Sequence, residues 1–137
     1  MEKTFLMIKP NAVKRHLIGK VITKIEEKGI NIISIKYLNV SNEQAENHYD
    51  VHQGKSFYNS LIENITSGPV VAIALRGNDA VAIIRTLAGS TDPTKANPGT
   101  IRGDYSNDIL NNIVHTSDSV ERALYELSIY FSEAELA

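Results

Sequence analysis

Four strand-like runs, separated by segments of helical periodicity, most constrain what this chain can fold into. The runs at 4–8, 70–75 and 113–114 are short and apolar, whereas the run at 30–40 is rich in β-branched residues and partly alternating, and both patterns are typical of strands. The run at 70–75 is apolar at every position, which predicts a strand buried on both faces and central in its sheet.

Helical signals fill the segments between these runs. Apolar residues recur at helical spacing over 13–25, 57–65, 79–87 and 120–131. Ser41 followed by Gln44 is a capping-box signature and predicts a further helix that ends near Tyr49. Asp79 is predicted to cap the helix after the third strand, and Gly29 is predicted to end the first helix.

The order is therefore strand, helix, strand, two helices, strand, helix, long loop, strand and helix. Two βαβ-type halves of this kind predict an α+β ferredoxin-like sandwich, with a four-stranded antiparallel sheet covered by helices. We expect one domain over 1–137, because no repeat, low-complexity segment or linker interrupts the chain.

Composition excludes some classes of function. The chain has no cysteine, which excludes disulfides, thiolate catalysis and cysteine-type zinc sites. A net charge of −2 argues against a dedicated nucleic-acid surface, which is usually strongly basic. No signal peptide or membrane-length apolar run is recognisable, so we expect a cytoplasmic protein with no membrane partner.

The stretch from Gly89 to about Asn112 has no sustained periodicity and carries two prolines and three glycines. Compact domains rarely contain structureless loops longer than about 15 residues unless the loop is functional. The alternative is disorder, but the turn chemistry at 99–105 favours an ordered functional loop.

His115 is the candidate reactive group, because it follows Ile113 and Val114 at the predicted end of a strand. An imidazole titrates near neutral pH and can act as nucleophile or base. The alternative is a structural histidine bonded to a backbone carbonyl. Glu126, on the following helix, can orient His115, or it can instead pair with Arg122 four residues earlier.

Three cations on separate elements, Lys9, Arg85 and Arg102, suit a polyphosphate, although each alone is also compatible with a solvated surface charge. No glycine-rich phosphate loop is present, so a phosphate binder of this kind must use side chains. His48 and His52 are four residues apart without an evident third ligand, so we predict no metal site made of protein side chains.

The chain resembles a nucleoside diphosphate kinase over essentially its full length. The stretches that carry the resemblance are Phe5-Leu6-Met7-Ile8-Lys9-Pro10, His48-Tyr49, Thr66-Ser67-Gly68-Pro69-Val70-Val71, Ala80-Val81-Ala82-Ile83-Ile84-Arg85, Pro98-Gly99-Thr100-Ile101-Arg102-Gly103-Asp104, Asn112-Ile113-Val114-His115 and Ser117-Asp118-Ser119. They occur in the order and at the spacing of that family.

The resemblance implies transfer of the γ-phosphate from a nucleoside triphosphate, mainly ATP, to a nucleoside diphosphate by a ping-pong route. His115 would become a phosphohistidine, oriented by Glu126 and Ser117. The residues that would contact phosphates and ribose are Lys9, Arg85, Thr91, Arg102 and Asn112. Phe57 and Ile109 would contact the base, and Tyr49 would lie close to the phosphates. The resemblance also implies Mg²⁺ held mainly by the nucleotide phosphates, and a homo-oligomer, either tetramer or hexamer, with the long loop at subunit contacts.

Four places depart from the family pattern: Asn11-Ala12, His16, Asn111 and Thr116. Thr116 matters most, because its branched side chain either narrows the space beside His115 or adds a hydroxyl donor. We expect an altered rate or nucleotide preference. The competing hypotheses are a non-enzymatic nucleotide-binding module and, more weakly, a nucleic-acid-binding regulator.

Overall fold

The computed structural model describes residues 1–137 and contains one sheet of four antiparallel strands. The strands are β1 (Glu2–Ile8), β2 (Asn31–Leu38), β3 (Val70–Gly77) and β4 (Val114–Thr116). They lie in the order β2-β3-β1-β4, so β3 is an inner strand, as its apolar run predicts. This topology is the ferredoxin-like arrangement, and the predicted fold class is confirmed.

Seven helices connect and cover the strands: α1 (Pro10–Lys14), α2 (Ile18–Lys28), α3 (Asn42–His48), α4 (Tyr58–Ile65), α5 (Ala80–Ala88), α6 (Ile101–Tyr105) and α7 (Val120–Tyr130). Single 3₁₀ turns occur at Asp50–His52 and Ala134–Leu136. None of these helices combines the length and the apolar character that crossing a lipid bilayer requires.

The side chains of β1 contribute to two cores, one on each face of the sheet. Leu6 and Ile8 pack with residues of α2 and α5, whereas Phe5 and Met7 pack with residues of α3, α4 and α7. All four are fully buried, and each contributes roughly 2 kcal/mol from burial. Because successive side chains point to opposite faces, a strand covered on both sides has to be apolar throughout.

Two of the predicted helix boundaries are confirmed. At the start of α3, the Gln44 N–H donates to Ser41 Oγ (3.1 Å) and the Ser41 N–H donates to Gln44 Oε1 (3.0 Å), which completes the capping box. At the end of α2, Gly29 has a φ of +85°, a left-handed conformation that glycine adopts without steric cost.

The continuous helix predicted over 13–25 is wrong, because the segment contains two helices. Helix α1 ends at Lys14 and α2 begins at Ile18. Between them His16 has a φ of +60°, where a residue other than glycine costs about 1 kcal/mol. The departure from the family pattern at His16 therefore falls on the residue that turns the chain.

The cap predicted at Asp79 is wrong in detail. Asp79 directly precedes α5, but its φ is +54° and its side chain makes no capping hydrogen bond. The N–H of Val81 instead donates to Glu2 Oε1 on β1, at 3.2 Å. A carboxylate distant in sequence thus satisfies a free N–H of the first turn.

Helix α6 lies within the stretch for which the sequence predicts no regular structure. Thr100 Oγ1 accepts a hydrogen bond from the Gly103 N–H (3.0 Å), and Lys24 on α2 forms an ion pair with Asp104 (2.8 Å). A Cβ on Gly103 would lie 1.8 Å from the Asn97 carbonyl oxygen, so only glycine fits there. Five helical residues are too few to produce a detectable apolar period.

Candidate active site

His115 lies in the middle of β4, opposite Met7 on β1. The strand predicted over Ile113 and Val114 is present but shifted: Val114 begins β4, Ile113 has a φ of +76° and lies outside it, and His115 lies within the strand rather than after it. The Val114 N–H donates to the Asn112 carbonyl (2.9 Å), which makes a γ-turn around Ile113. This strained turn leads directly into β4, the edge strand that contains His115.

A buried carboxylate holds the His115 ring. Nε2 of His115 lies 3.0 Å from Oε1 of Glu126 on α7, and the Ser117 hydroxyl donates to the same oxygen at 2.5 Å. Glu126 and Ser117 are 3% and 1% exposed. Because a carboxylate only accepts hydrogen bonds, Nε2 carries the proton, and the lone pair of the neutral ring is on Nδ1.

Glu126 satisfies both of the alternatives that the sequence left open. Its Oε1 accepts from His115, and its Oε2 lies 3.5 Å from Nε of Arg122. Burial opposes ionisation of Glu126, but the hydrogen bonds from His115 and Ser117 and the charge of Arg122 outweigh it, and the pKa of this carboxyl lies below its usual value. Glu126 is therefore ionised at neutral pH.

A cleft of about 480 Å³ opens beside His115. It brings together most of the residues that the sequence singled out: Lys9, Tyr49, Phe57, Arg85, Thr91, Arg102, Asn112 and His115. Glu126 and Ser117 are buried behind the His115 ring and do not line the cleft. Ile109 does not line it either, and is 64% exposed.

Lys9 is a buried cation at the end of β1. Its Nζ donates to Asn112 Oδ1 at 2.7 Å, and its backbone N–H donates to the Ile113 carbonyl at 2.9 Å. Burial, and secondly the charge of Arg102, lowers the pKa of Lys9 to about 8. Because no carboxylate pairs with the buried Lys9 ammonium, the site favours the binding of an anionic ligand.

Arg102 joins the segments on either side of the cleft. Its guanidinium donates to the carbonyl oxygens of Gly89 (2.8 Å), Asn112 (3.2 Å) and Val114 (2.7 Å). Burial, and secondly the charge of Arg85, lowers the pKa of Arg102 to about 10. Since a guanidinium has five N–H groups, two remain for a ligand.

Tyr49 and Phe57 contribute the aromatic part of the cleft lining. Tyr49 is 7% exposed, and burial, followed by the charge of Glu126, raises the pKa of its hydroxyl, which therefore stays protonated as a donor. Phe57, just before α4, is 45% exposed, with one edge toward the His52 ring at 5.3 Å. Its open face can stack on a planar group.

Sequence reasoning missed the position of His48, which lies on α3. The His48 ring is 4.4 Å from the His115 ring, centroid to centroid, and its Nδ1 lies 2.9 Å from the Tyr130 hydroxyl. The sequence spacing relates His48 to His52, but only the sheet topology relates it to His115. Asp118, which also lines the cleft, is not among the site residues that the sequence predicts.

The structure shows the surroundings of Thr116, Asn111 and Ala12, three of the residues that depart from the family pattern. Thr116 lines the cleft beside His115. Asn111 accepts a hydrogen bond from Nδ2 of Asn64 on α4 at 2.8 Å, which attaches the segment before β4 to that helix. Ala12 is fully buried in the α2–α5 core.

Positive side chains around one unprotonated imidazole nitrogen suit the handling of phosphoryl groups. A ferredoxin-like sheet with such a histidine on its edge strand indicates a phosphotransferase. Residues 2–136 match the family model described as Nucleoside diphosphate kinase. The chain belongs to the nucleoside diphosphate kinase family, and its activity is that of a phosphotransferase in nucleotide metabolism.

Individual relatives agree with this assignment. The nucleoside diphosphate kinase of Thermoplasma acidophilum is 50% identical over 135 residues, which cover 98% of this chain and 91% of that protein. The solved structure of the halophilic enzyme from Halobacterium salinarum, in complex with CDP, is 42% identical with a TM-score of 0.95, over 99% of this chain and 91% of that one. The apo structure from Encephalitozoon cuniculi is 43% identical with a TM-score of 0.92, over 95% and 88%.

Proposed function

We propose that this chain transfers the γ-phosphate of a nucleoside triphosphate, mainly ATP, to a nucleoside diphosphate by a ping-pong mechanism through a phosphohistidine at His115. One observation carries the proposal. Glu126 occupies Nε2 of His115, so that Nδ1 is the nitrogen left free beside a cleft lined by three cations.

In the first half-reaction, the Nδ1 lone pair attacks the γ-phosphorus. The Nδ1–P bond forms, the bond from phosphorus to the β,γ-bridging oxygen breaks, and the nucleoside diphosphate leaves with that oxygen and its electron pair. In the second half-reaction, a terminal phosphate oxygen of another diphosphate attacks the same phosphorus, and the Nδ1–P bond breaks. One cleft thus serves donor and acceptor in turn.

Glu126 stabilises the positive charge that develops on the His115 ring as Nδ1 bonds to phosphorus. It does so through the Nε2–H hydrogen bond, and Ser117 holds the carboxylate in place. A preorganised carboxylate also keeps the ring in the tautomer that presents Nδ1. The pair therefore acts on both the orientation and the charge of the nucleophile.

Lys9, Arg85 and Arg102 stabilise the charge on the phosphoryl oxygens in a loose transition state. The lowered pKa of Lys9 supports this role, since a bound polyphosphate places negative charge beside an ammonium that is otherwise costly to bury. Thr91 and Asn112 donate to phosphate or ribose oxygens, and Tyr49 donates its hydroxyl near the phosphates.

The base is held by stacking on Phe57, with Ile109 on its other face. Both side chains are exposed, and neither offers a hydrogen-bonding group to a base edge. Stacking tolerates any base, which supports broad acceptance of nucleotides.

The cleft fits Mg²⁺ only as an ion that the nucleotide itself carries. Asp118 is the only carboxylate among the lining residues, too few for a magnesium cage made of protein oxygens. When bound to the phosphates, Mg²⁺ neutralises part of their charge. The cationic side chains of the cleft contact the phosphate oxygens that remain.

A short incubation with γ-labelled ATP and Mg²⁺ tests the proposal. We expect acid-labile, alkali-stable label on the protein that is lost when an unlabelled diphosphate is added. His115→Asn should accept no label, whereas His16→Asn, at an exposed histidine with a left-handed backbone, should label as the wild type does. Acid-labile label that persists in His115→Asn would contradict the assignment of His115.

A further inference from the structure

A buried polar atom beside His115 has no role in the proposed mechanism. His48 is 2% exposed, and its Nδ1 is occupied by the Tyr130 hydroxyl at 2.9 Å. Its Nε2 is fully buried and has no hydrogen-bond partner. A buried imidazole nitrogen normally has a partner, because leaving it unpaired costs about 1–3 kcal/mol.

His48 belongs to a cluster of potential metal ligands. One ligand atom from each of His48, His115 and Glu126 lies within 4.8 Å of the other two. The three residues come from α3, β4 and α7, so elements of regular structure hold all of them. The two imidazole rings are inclined at 68°, so that they do not stack face to face.

The chemistry of the ligands selects the ion. Two imidazoles and one carboxylate are a common protein ligand set for Zn²⁺, with water in the fourth position. Mg²⁺ prefers oxygen ligands and does not favour such a set. The hydroxyl of Tyr130 on Nδ1 of His48 has the place of the hydrogen bond that usually orients a metal-binding imidazole.

We propose that His48, His115 and Glu126 bind one Zn²⁺-class divalent ion behind the cleft, through Nε2 of each histidine and a carboxylate oxygen. The ion replaces the proton that Nε2 of His115 shares with Glu126, and that proton passes to solvent. The fourth position takes a water from the cleft, which His115 reaches with 21% of its side chain exposed. Arg122 and Lys9 are the nearby fixed positive charges, so we expect micromolar rather than tighter affinity.

On the proposed function, Zn²⁺ bound at this site should slow the transfer of a phosphoryl group to His115. An ion on Nε2 removes the hydrogen bond through which Glu126 stabilises a charged His115 ring. The carboxylate is then committed to the ion, and the added positive charge opposes a further charge on the ring. The metal-bound protein should therefore accept a phosphoryl group more slowly, and a chelator should restore the rate.

Nuclear magnetic resonance of untagged, metal-free wild-type protein tests the binding site directly. The chain has four histidines, and their ring nitrogens can be followed during a Zn²⁺ titration. We expect the Nε2 signals of His48 and His115 to shift together and to saturate at one equivalent, while His16 and His52 remain unchanged. Unchanged His48 and His115 signals at one equivalent would overturn the proposal.

Variants test the ligand assignment. His48→Gln should weaken Zn²⁺ binding at least tenfold, measured by competition with a chromophoric chelator, whereas His16→Asn should bind as the wild type does. Circular dichroism checks that each variant is folded. Equal affinity of folded His48→Gln and wild type would contradict the assignment, and the resonance titration still decides if that variant does not fold.

A labelling experiment tests the inhibitory consequence separately. Trace γ-labelled ATP in excess Mg²⁺ is added with and without Zn²⁺, and the ratio of the two labelling rates is compared within each variant. We expect Zn²⁺ to slow wild-type labelling at least tenfold and to change the ratio little in His48→Gln. Absence of label without Zn²⁺ would refute the phosphohistidine, whereas label unaffected by saturating Zn²⁺ would refute only the inhibition.

Discussion

The nitrogen of His115 that stays free is decided by one neighbouring residue. Glu126 accepts from Nε2 and is itself fixed by Ser117, so the tautomer follows from the carboxylate rather than from the imidazole. Nothing in the local sequence of β4 distinguishes the two ring nitrogens. The nitrogen proposed to react is therefore set by a pair of residues from β4 and α7.

Replacing the carboxylate by an amide should expose this dependence. Glu126→Gln keeps the shape of the side chain but loses its negative charge, so it no longer stabilises a charged His115 ring. We expect the rate of phosphoenzyme formation to fall by about 10- to 100-fold, measured by rapid quench with labelled ATP. Ser117→Ala, which leaves the carboxylate in place, should lose less, and an unchanged rate in Glu126→Gln would contradict the proposed role.

Lys9 should make nucleotide binding take up protons in mildly alkaline solution. Its pKa is about 8 in the free protein, and bound phosphate returns it toward the ordinary value of 10.5. Calorimetry of ADP binding at about pH 8.5, in two buffers of different ionisation enthalpy, measures the uptake. Lys9→Met should abolish it, whereas Lys14→Met, at an exposed lysine, should retain it; proton release by the wild type would contradict the assignment.

The lowered pKa of Lys9 also makes the free energy of unfolding depend on pH. Between about pH 8 and 10.5 the unfolded chain binds more protons at Lys9 than the folded protein does. The contribution of Lys9 to the free energy of unfolding therefore rises with pH across that window. Bound nucleotide should remove this rise, because it raises the pKa of Lys9 in the folded state.

Phe57 belongs to binding rather than to chemistry in this scheme. Removing its ring in Phe57→Ala should raise KM by about tenfold, since base stacking contributes about 1–3 kcal/mol, and should lower kcat much less. Steady-state kinetics with two different bases measures both. Equal losses in kcat and in kcat/KM would show that the ring acts in the transition state instead.

Among the secondary-structure elements, the sequence pattern did not predict α6. This short helix nevertheless carries one of the cations that line the cleft. It carries Arg102, whose guanidinium joins the segment after α5 to the γ-turn before β4. Its own position depends on the close contact of Gly103 with the Asn97 carbonyl. A short helix of low periodicity thus positions two sides of the cleft.

A pair of glycine substitutions separates close packing from helix propensity. In Gly103→Ala the added Cβ collides with the backbone of Asn97. We therefore expect the free energy of unfolding, measured by urea denaturation, to fall by about 1–3 kcal/mol. A Cβ added at Gly19 on α2 would meet no atom within 4 Å, and φ is not positive there, so Gly19→Ala should gain about 0.5–1 kcal/mol. Equal effects at the two positions would contradict the packing argument.

At the scale of the whole molecule, β2 is an edge strand with an exposed apolar surface. Ile35 and Tyr37 are 46% and 65% exposed, and one side of β2 has no partner strand. Exposed edges of this kind favour pairing with another chain. This surface supports the homo-oligomer that the family resemblance implies.

For the tetramer or hexamer that the family resemblance implies, light scattering should give a mass four or six times that of the 15.1 kDa chain. We expect Ile35→Lys, which places a charge on the edge strand, to lower that mass while leaving the circular dichroism spectrum of the fold unchanged. A wild-type mass of one chain at every concentration tested would contradict the oligomer. Loss of mass only in variants of the 90–100 loop would move the contact away from β2.

Much of the fold was predictable because it depends on local and periodic signals. The apolar runs of β1 and β3, the capping box at Ser41 and the left-handed end of α2 at Gly29 each involve residues close in sequence. The prediction failed where a distant group intervenes, as at α5, where Glu2 rather than Asp79 satisfies the first turn. It also failed at α6, which is too short for a period.

The sequence by itself determined which side chains are available: one histidine beside a short apolar run, three cations on separate elements, and a carboxylate on the last helix. Only the tertiary structure decided which of them meet. The antiparallel pairing of β4 with β1 and the packing of α7 against β1 place Glu126 on Nε2 of His115 and His48 beside the same ring. The physical reason is that these contacts join residues on different elements, from 11 positions apart for His115 and Glu126 to more than 100 for Met7 and His115, and no local propensity specifies how those elements are placed.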